Sequence, residues 1–280
     1  VGSVRCVSET GAKRGQGTIG PVGASPAPTH EDRTSRMTGM NSFDNKTFLA
    51  RIRGGDFAHP GEEDAIDLVL SHVSPAPGET VLDAGCGLGA TADAIGTKTG
   101  AVVVGVDLDA DSVRYASDRY EDRQFLQDDI TKLGSLAMPN VDVIYAFNSL
   151  YACDDLEACF AAFRWVANPR ARIAVFDYIA YDARALAEED CLPRSVHSMA
   201  EMRQAPARQG WTCTRIVNLD QDYIAWYERF LARMDENRDM LGAARSPAFF
   251  DEVRKKYDDM RVCLEQGALG GALHSYALAS

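Results

Sequence analysis

Residues Asp83-Ala84-Gly85-Cys86-Gly87-Leu88-Gly89 join the apolar run Val81-Leu82 to a segment of helical pattern that begins near Ala90. Three alternating glycines between a strand and a helix restrict the fold more than any other part of the chain. A strand, a glycine loop and a helix in that order make the corner where open α/β sheets bind nucleotides. Without a Cβ, the loop backbone can turn tightly and lie against a ligand. Asp107 follows 22 residues after Gly85 and ends the next apolar run. That is the place for a carboxylate gripping the two hydroxyls of a ribose.

The surrounding pattern supplies the sheet this corner needs. Apolar runs at 80–84, 101–106, 124–127, 141–147, 171–178, 212–217 and 272–278 read as strands. Helical segments are predicted near 89–98, 110–119, 154–166 and 198–209. Strands alternating with helices imply right-handed crossovers and a mostly parallel sheet covered on both faces. Val102-Val103-Val104-Gly105-Val106 is apolar throughout, as a strand buried on both sides requires. Ahead of the loop, Ala65, Ile66, Val69, Leu70 and Val73 share one helix face. Glu62, Glu63 and Asp64 fill that helix's first turn, and Ser74-Pro75-Ala76-Pro77-Gly78 breaks it. Between about 221 and 267 two helices are expected, one carrying Tyr223, Trp226, Tyr227, Phe230, Leu231 and Met234. The other carries Phe250, Val253, Tyr257, Met260 and Leu264. Inserted before the last strand, the pair would form a small helical cap or lid.

Residues 1–40 stand apart. They are rich in Gly, Ser, Thr, Pro and Arg, lack Leu and Phe, and show no periodicity, so a disordered extension is expected there. The domain is expected to occupy 41–280. The chain opens on Val, and Met37 and Met40 precede the first regular pattern, so a start placed too far upstream is the expectation for 1–36.

Composition narrows the partners. Acidic residues outnumber basic ones 41 to 29, a formal charge of -12 that repels polyphosphate and disfavours nucleic acid as substrate. No run of about 18 apolar residues exists to cross a membrane, and no secretory signal pattern is seen. The seven cysteines form no C-x-x-C pair, so neither zinc nor a disulfide framework is expected, and a cytoplasmic setting is. A small-molecule substrate follows. Oligomeric state is unreadable.

Two nucleotides fit the corner. Gly85-Cys86-Gly87-Leu88-Gly89-Ala90 can be set into the dinucleotide pattern G-x-G-x-x-G/A, which leaves an NAD(P)-dependent oxidoreductase open. Asp83 opposes that reading, because a carboxylate at the strand end sits poorly against a pyrophosphate. It suits a ligand that carries an ammonium group, and the extra Gly89 fits a looser loop around an amino-acid moiety. S-adenosylmethionine has adenosine, ammonium and sulfonium but no phosphate.

Asp83-x-Gly85-x-Gly87-x-Gly89, Asp107, Asp129-Ile130 and the run from Val141 to Asn148 resemble the successive motifs of class I S-adenosylmethionine-dependent methyltransferases. The Phe57 to Gly61 entry, Asp177-Tyr178 and the charged, aromatic helical pair before a closing Gly-Gly strand resemble the small-molecule branch. Within that branch the resemblance is particularly to phosphoethanolamine and sarcosine/dimethylglycine N-methyltransferases. The resemblance implies an α/β, Rossmann-like, seven-stranded sheet with its last strand antiparallel. It implies a cofactor site of Asp83, Gly85, Cys86, Gly87, Gly89, Asp107, Leu108, Asp129, Ile130 and Asn148, with no metal. In this reading Asp107 holds the ribose, Asp129 and Ile130 contact the adenine, and Asn148 lies near the methionine moiety. The chain departs from phosphoethanolamine methyltransferases at Leu150-Tyr151-Ala152-Cys153, which has no histidine, and it has no tyrosine before Phe57. Both departures argue against phosphoethanolamine itself.

Direct displacement at a sulfonium-activated methyl needs positioning more than acid–base help. A neutral amine attacks without a strong base, so an amine acceptor is expected ahead of an O- or C-acceptor. Tyr151, Tyr178 and His197 are the candidate catalytic residues, lying where loops gather over the carboxyl edge. Tyr181 is a further candidate near the methyl, and His59 is expected at a helix start facing the cofactor pocket, through its backbone more than its imidazole. A non-catalytic S-adenosylmethionine-binding protein is the remaining alternative.

Overall fold

The computed structural model describes residues 41–135, 138–189 and 196–278. The extension expected over 1–40 lies outside the described residues. Ser42 opens the first helix, α1 (Phe43–Arg53), its hydroxyl accepting from Asn45 N–H at 3.4 Å, and left-handed Gly54 closes it. Phe48, Leu49 and Ile52 form its buried stripe. The helical stripe foreseen from Ala65 is α2 (Glu62–His72).

The strands are β1 (Thr80–Ala84), β2 (Val102–Asp107), β3 (Gln124–Gln127), β4 (Val141–Phe147), β5 (Ala167–Ala180), β6 (Trp211–Asn218) and β7 (Leu269–Leu278). Among the described residues they form one sheet in the order β3-β2-β1-β4-β5-β7-β6. Pairing is parallel from β3 through β5, whereas β7 runs antiparallel to both β5 and β6. The strand predicted at 171–178 is longer on both sides: Ala167 pairs with Val141 of β4 at its start, and β7 pairs along it as far as Ala180. Crossovers run through α3 (Ala90–Thr99), α4 (Ala110–Arg119), α5 (Leu156–Val166), α6 (Ala183–Glu189) and α7 (Glu201–Arg208). The chain winds outward from β1 to β3 and then returns to place β4 on the other side of β1. That reversal opens a crevice at the carboxyl ends of β1 and β4.

Each sheet face buries its own apolar layer. Ile66, Val69, Ile95, Val81, Val103 and Val143 belong to one, and Leu82, Ile144, Phe160, Phe163 and Val175 to the other. Burying each such side chain contributes about 1.5–3 kcal/mol, which is what holds the strand ends in register around the crevice.

The region before β7 holds three helices where two were predicted. They are α8 (Asp220–Glu236), α9 (Arg238–Ala244) and α10 (Pro247–Glu265). The division falls at Asn237, whose N–H bonds back to Arg233 and Met234 carbonyls and whose Nδ2 donates to Arg233 O at 2.8 Å. Ser246 then restarts the chain, its hydroxyl accepting from Phe249 N–H with Pro247 at the first helical position. The buried faces of α8 and α10 meet over the end of β5 through Tyr227, Phe230 and Tyr257.

Candidate active site

Gly85, Gly87 and Gly89 all take positive φ, at 86°, 55° and 92°. At two of them packing within the protein adds a reason for glycine. A Cβ on Gly85 would stand 2.4 Å from Ser149 Cβ, and one on Gly89 would stand 2.8 Å from Ala116 Cβ and 2.9 Å from Phe125 Cζ. These two glycines admit protein neighbours. Gly87 donates its backbone N–H to Asp107 Oδ2 at 2.8 Å. Cys86 is buried against Gly105, and burial pushes its thiol well above the usual range, so it carries no reactive thiolate.

Asp83, next to last in β1, lies fully inside the protein, with Oδ2 lacking any hydrogen-bond partner. Burial, reinforced by the Asp107 carboxylate, pushes its pKa up to about 7. A buried carboxylate with an orphaned oxygen lacks a donor, and a cation supplies one.

Asp107 is already engaged. Besides Gly87 N–H it accepts from Asp109 N–H at 2.9 Å, and Lys46 Nζ lies 3.2 Å from Oδ1 and 3.3 Å from Oδ2. Lys46 was not foreseen. The helical spacing of Phe48, Leu49 and Ile52 was the signal that would have found α1, with Lys46 and Arg53 at the ends of its buried face. Leu108 offers its carbonyl to Gln127 Nε2 at 3.4 Å. The Asp129 carboxylate organises its own turn, accepting from Thr131 N–H at 3.0 Å and Thr131 Oγ1 at 2.7 Å, while Ile130 packs into the core.

Asn148 takes φ 44°, a left-handed conformation that Asn tolerates. Its N–H donates to Phe176 O at 2.7 Å and its Oδ1 accepts from Tyr223 Oη at 3.2 Å, tying β4 to α8. Asp177 clamps the turn that follows. Its Oδ2 accepts from Leu150 and Tyr151 N–H at 2.8 and 3.1 Å, and its Oδ1 from Tyr178 N–H at 2.8 Å. Burial pushes its pKa up to about 7 against these donors.

Two of the three catalytic candidates come together. The Tyr151 and Tyr178 rings meet edge to face at 5.3 Å, and Tyr223 extends the wall at 5.4 Å from Tyr178. Tyr178 and Tyr227 share a short hydrogen bond between hydroxyls, and Tyr151 donates to Asn41 Oδ1 at 2.8 Å. Burial holds the Tyr178 and Tyr223 phenols well above their ordinary range and pushes Tyr151 up as well. His197 is elsewhere in role: its Nε2 donates to the Leu150 carbonyl at 3.1 Å, bracing the turn from behind. Tyr181 is exposed and hydrogen-bonds Asp220. His59 spends both ring nitrogens, on Pro60 O and Thr91 Oγ1. Among the described residues no cluster of His, Cys, Asp or Glu is placed to hold a metal, and no helix is long and apolar enough to cross a membrane.

The seven-stranded sheet with antiparallel β7 and a glycine corner after β1 has the α/β architecture of solved methyltransferases. Residues 82–175 match the family model described as a methyltransferase domain. An O-methyltransferase of Pyrenophora dematioidea is 28% identical over 146 residues, covering 50% of this chain and 52% of the relative. Phosphoethanolamine N-methyltransferase 1 of Zea mays is 26% identical over 236 residues, covering 79% of this chain and 47% of the relative. The chain thus spans about half the length of these curated relatives. In fold it is similar to Haemonchus contortus phosphoethanolamine N-methyltransferase 2, solved with phosphomonomethylethanolamine and S-adenosylhomocysteine. That likeness has a TM-score of 0.79 at 14% identity, over 90% of this chain and 60% of the other.

Proposed function

We propose that this chain is a methyltransferase that binds S-adenosylmethionine at the β1–β4 crevice and methylates an amine nitrogen of a small molecule. The site fits the cofactor on one observation above others: the buried Asp83 oxygen without a donor, which an ammonium group satisfies and a pyrophosphate repels. The same observation weighs against the nicotinamide alternative.

When bound, S-adenosylmethionine supplies a methyl group activated by sulfonium. The residues of the chain would hold the reactants. Asp83 takes the ammonium, Asp107 the ribose, and Asn148 with the Asp177-clamped turn sets the floor beneath the methyl. Tyr151, Tyr178 and Tyr223 wall the acceptor side and exclude water, and their faces attract cationic or partly cationic nitrogen. Such positioning is worth about 7–11 kcal/mol. Among the described residues no free base is poised at this edge: His59 and His197 are committed to other partners, the Asp177 carboxylate is taken up by backbone N–H donors, and the phenols resist ionisation. A neutral amine requires none, whereas a phenol or carbon acid does.

The test has two stages. Calorimetry with S-adenosylhomocysteine and with NADH decides the cofactor, and binding of NADH alone would overturn the reading. Labelled methyl transfer to panels of amines, phenols and carbon acids then decides the acceptor. Turnover confined to phenols or carbon acids would refute the amine.

A further inference from the structure

A carboxylate offers about four lone-pair positions to donors. On Asp107 two are filled by backbone, from Gly87 N–H and Asp109 N–H. Lys46 Nζ takes the rest, bridging Oδ1 at 3.2 Å and Oδ2 at 3.3 Å. A diol gripped by this carboxylate must donate to the same two oxygens, so the ammonium stands on the acceptors that a ribose needs. Lys46 also has a second seat within reach. Its Nζ hydrogen-bonds Ser112 Oγ at 3.1 Å and lies 3.9 Å from Asp109 Oδ2. Ser112 in turn donates to that same Asp109 oxygen at 2.7 Å, which holds the second seat in place.

We infer that Lys46 is a placeholder for the cofactor's ribose hydroxyls, handed from Asp107 to Asp109 and Ser112 when the cofactor binds. The inference rests on the reading of Asp107 as the ribose-holding carboxylate. A buried cation left without a partner is costly, and the handover keeps Lys46 paired in both states. It also keeps Asp107 paired with a cation before any ligand arrives. Because Lys46 is part of α1, the exchange links occupancy of the crevice to that helix. Arg53 at the far end of α1 stacks on Phe230 of the cap at 4.5 Å and donates to the His59 carbonyl at 2.6 Å.

The experiment is calorimetric titration of S-adenosylhomocysteine into wild type, Lys46→Met, Asp109→Asn and the double variant. Removing the placeholder is expected to tighten binding about tenfold, since an occupied site lowers apparent affinity by its competent fraction. Asp109→Asn keeps the helix cap and removes the charged second seat, so binding weakens several-fold. In the Lys46→Met background that loss disappears, because no ammonium needs the seat. Equal or weaker binding by Lys46→Met overturns the inference, as does a loss from Asp109→Asn that persists in the double variant. Ligand-free melting curves check that each variant folds. Should Lys46→Met not fold, unchanged affinity in Asp109→Asn refutes the handover by itself and weakened affinity supports it. Wild type that binds no S-adenosylhomocysteine would instead refute the cofactor reading.

Discussion

His59 Nε2 lies 3.0 Å from Thr91 Oγ1, while His59 Nδ1 lies 3.1 Å from the Pro60 carbonyl. A carbonyl only accepts, so Nδ1 carries the proton and Nε2 accepts from the threonine hydroxyl. This neutral imidazole fastens the segment before α2 to the first turn of α3, directly behind the glycine loop.

Burial, aided by Arg53, lowers the His59 pKa from its ordinary 6.5 to about 4. In the folded state the ring resists protonation that the unfolded chain accepts between those values. Stability from this group is therefore complete above about 6.5 and lost as pH falls toward 4, by about 3 kcal/mol. His274 is lowered to about 4 as well and acts in the same direction, whereas Asp83 and Asp177, raised to about 7, act in the opposite one. Comparing urea unfolding of wild type and His59→Gln at pH 5 and 7.5 isolates the His59 share. The variant is expected to lose less stability on acidification, and an unchanged pH slope counts against a neutral His59.

Asp83 has the reverse sign. Its folded pKa of about 7 lies above the ordinary 3.8, so its burial costs nothing at low pH and its full penalty above pH 7. Asp83→Asn is expected to stabilise the ligand-free protein at pH 8, by up to about 4 kcal/mol, and to change little at pH 4. The same variant is expected to bind S-adenosylhomocysteine more weakly. Wild-type binding should tighten as pH rises through about 7, and that pH dependence should vanish in the variant. Calorimetry across pH 6 to 8 measures both.

Tyr178 and Tyr227 satisfy each other's hydroxyls inside the protein, with Met260 Sδ 3.5 Å from Tyr227 Oη. Tyr227→Phe strands the Tyr178 hydroxyl at a cost of about 1–3 kcal/mol, Tyr178→Phe leaves Tyr227 only the weak Met260 Sδ acceptor, and removing both hydroxyls leaves nothing stranded. The double variant Tyr178→Phe/Tyr227→Phe is therefore expected to melt higher than the sum of the single losses predicts. A double-mutant cycle from chemical denaturation checks this, and strict additivity would contradict the pairing.

The α/β alternation, the glycine corner, Asp83 and Asp107 were legible because each depends on local order along the chain. Strands such as Val103 to Val106 announce burial by composition, and a glycine run announces a turn. Lys46 was not legible. Its meaning depends on a helix folding back to place its ammonium beside an acid 61 positions away. Asp177 was legible only as half of a quoted motif, since its three backbone donors come from a turn on another strand and from its own neighbour. His197 and His59 looked available for chemistry in sequence because no pattern reveals that a carbonyl or hydroxyl has claimed their nitrogens. The cap read as two helices because the break at Asn237 uses no Gly or Pro.

Gly85 and Gly78 separate the two costs of replacing a left-handed glycine. Their φ values are 86° and 83°, but a Cβ on Gly78 meets nothing within 4 Å, and one on Gly85 meets Ser149 Cβ at 2.4 Å. Gly78→Ala bears only the backbone term, about 1–2 kcal/mol. Gly85→Ala adds a collision with an atom fixed to the main chain, and Ser149 cannot retreat freely because its hydroxyl donates to Ala84 O at 2.6 Å. The turn that must yield carries Tyr151 and is held by Asp177, so the strain passes to the Tyr151–Tyr178 ring pair. Gly85→Ala is expected to lose at least about 3 kcal/mol in denaturant unfolding, the range of overpacked cores plus strained backbone. Adding Ser149→Gly removes the collision and should return the loss to near that of Gly78→Ala. Equal losses for Gly85→Ala and Gly78→Ala would mean that Ser149 is not what requires a glycine at the corner.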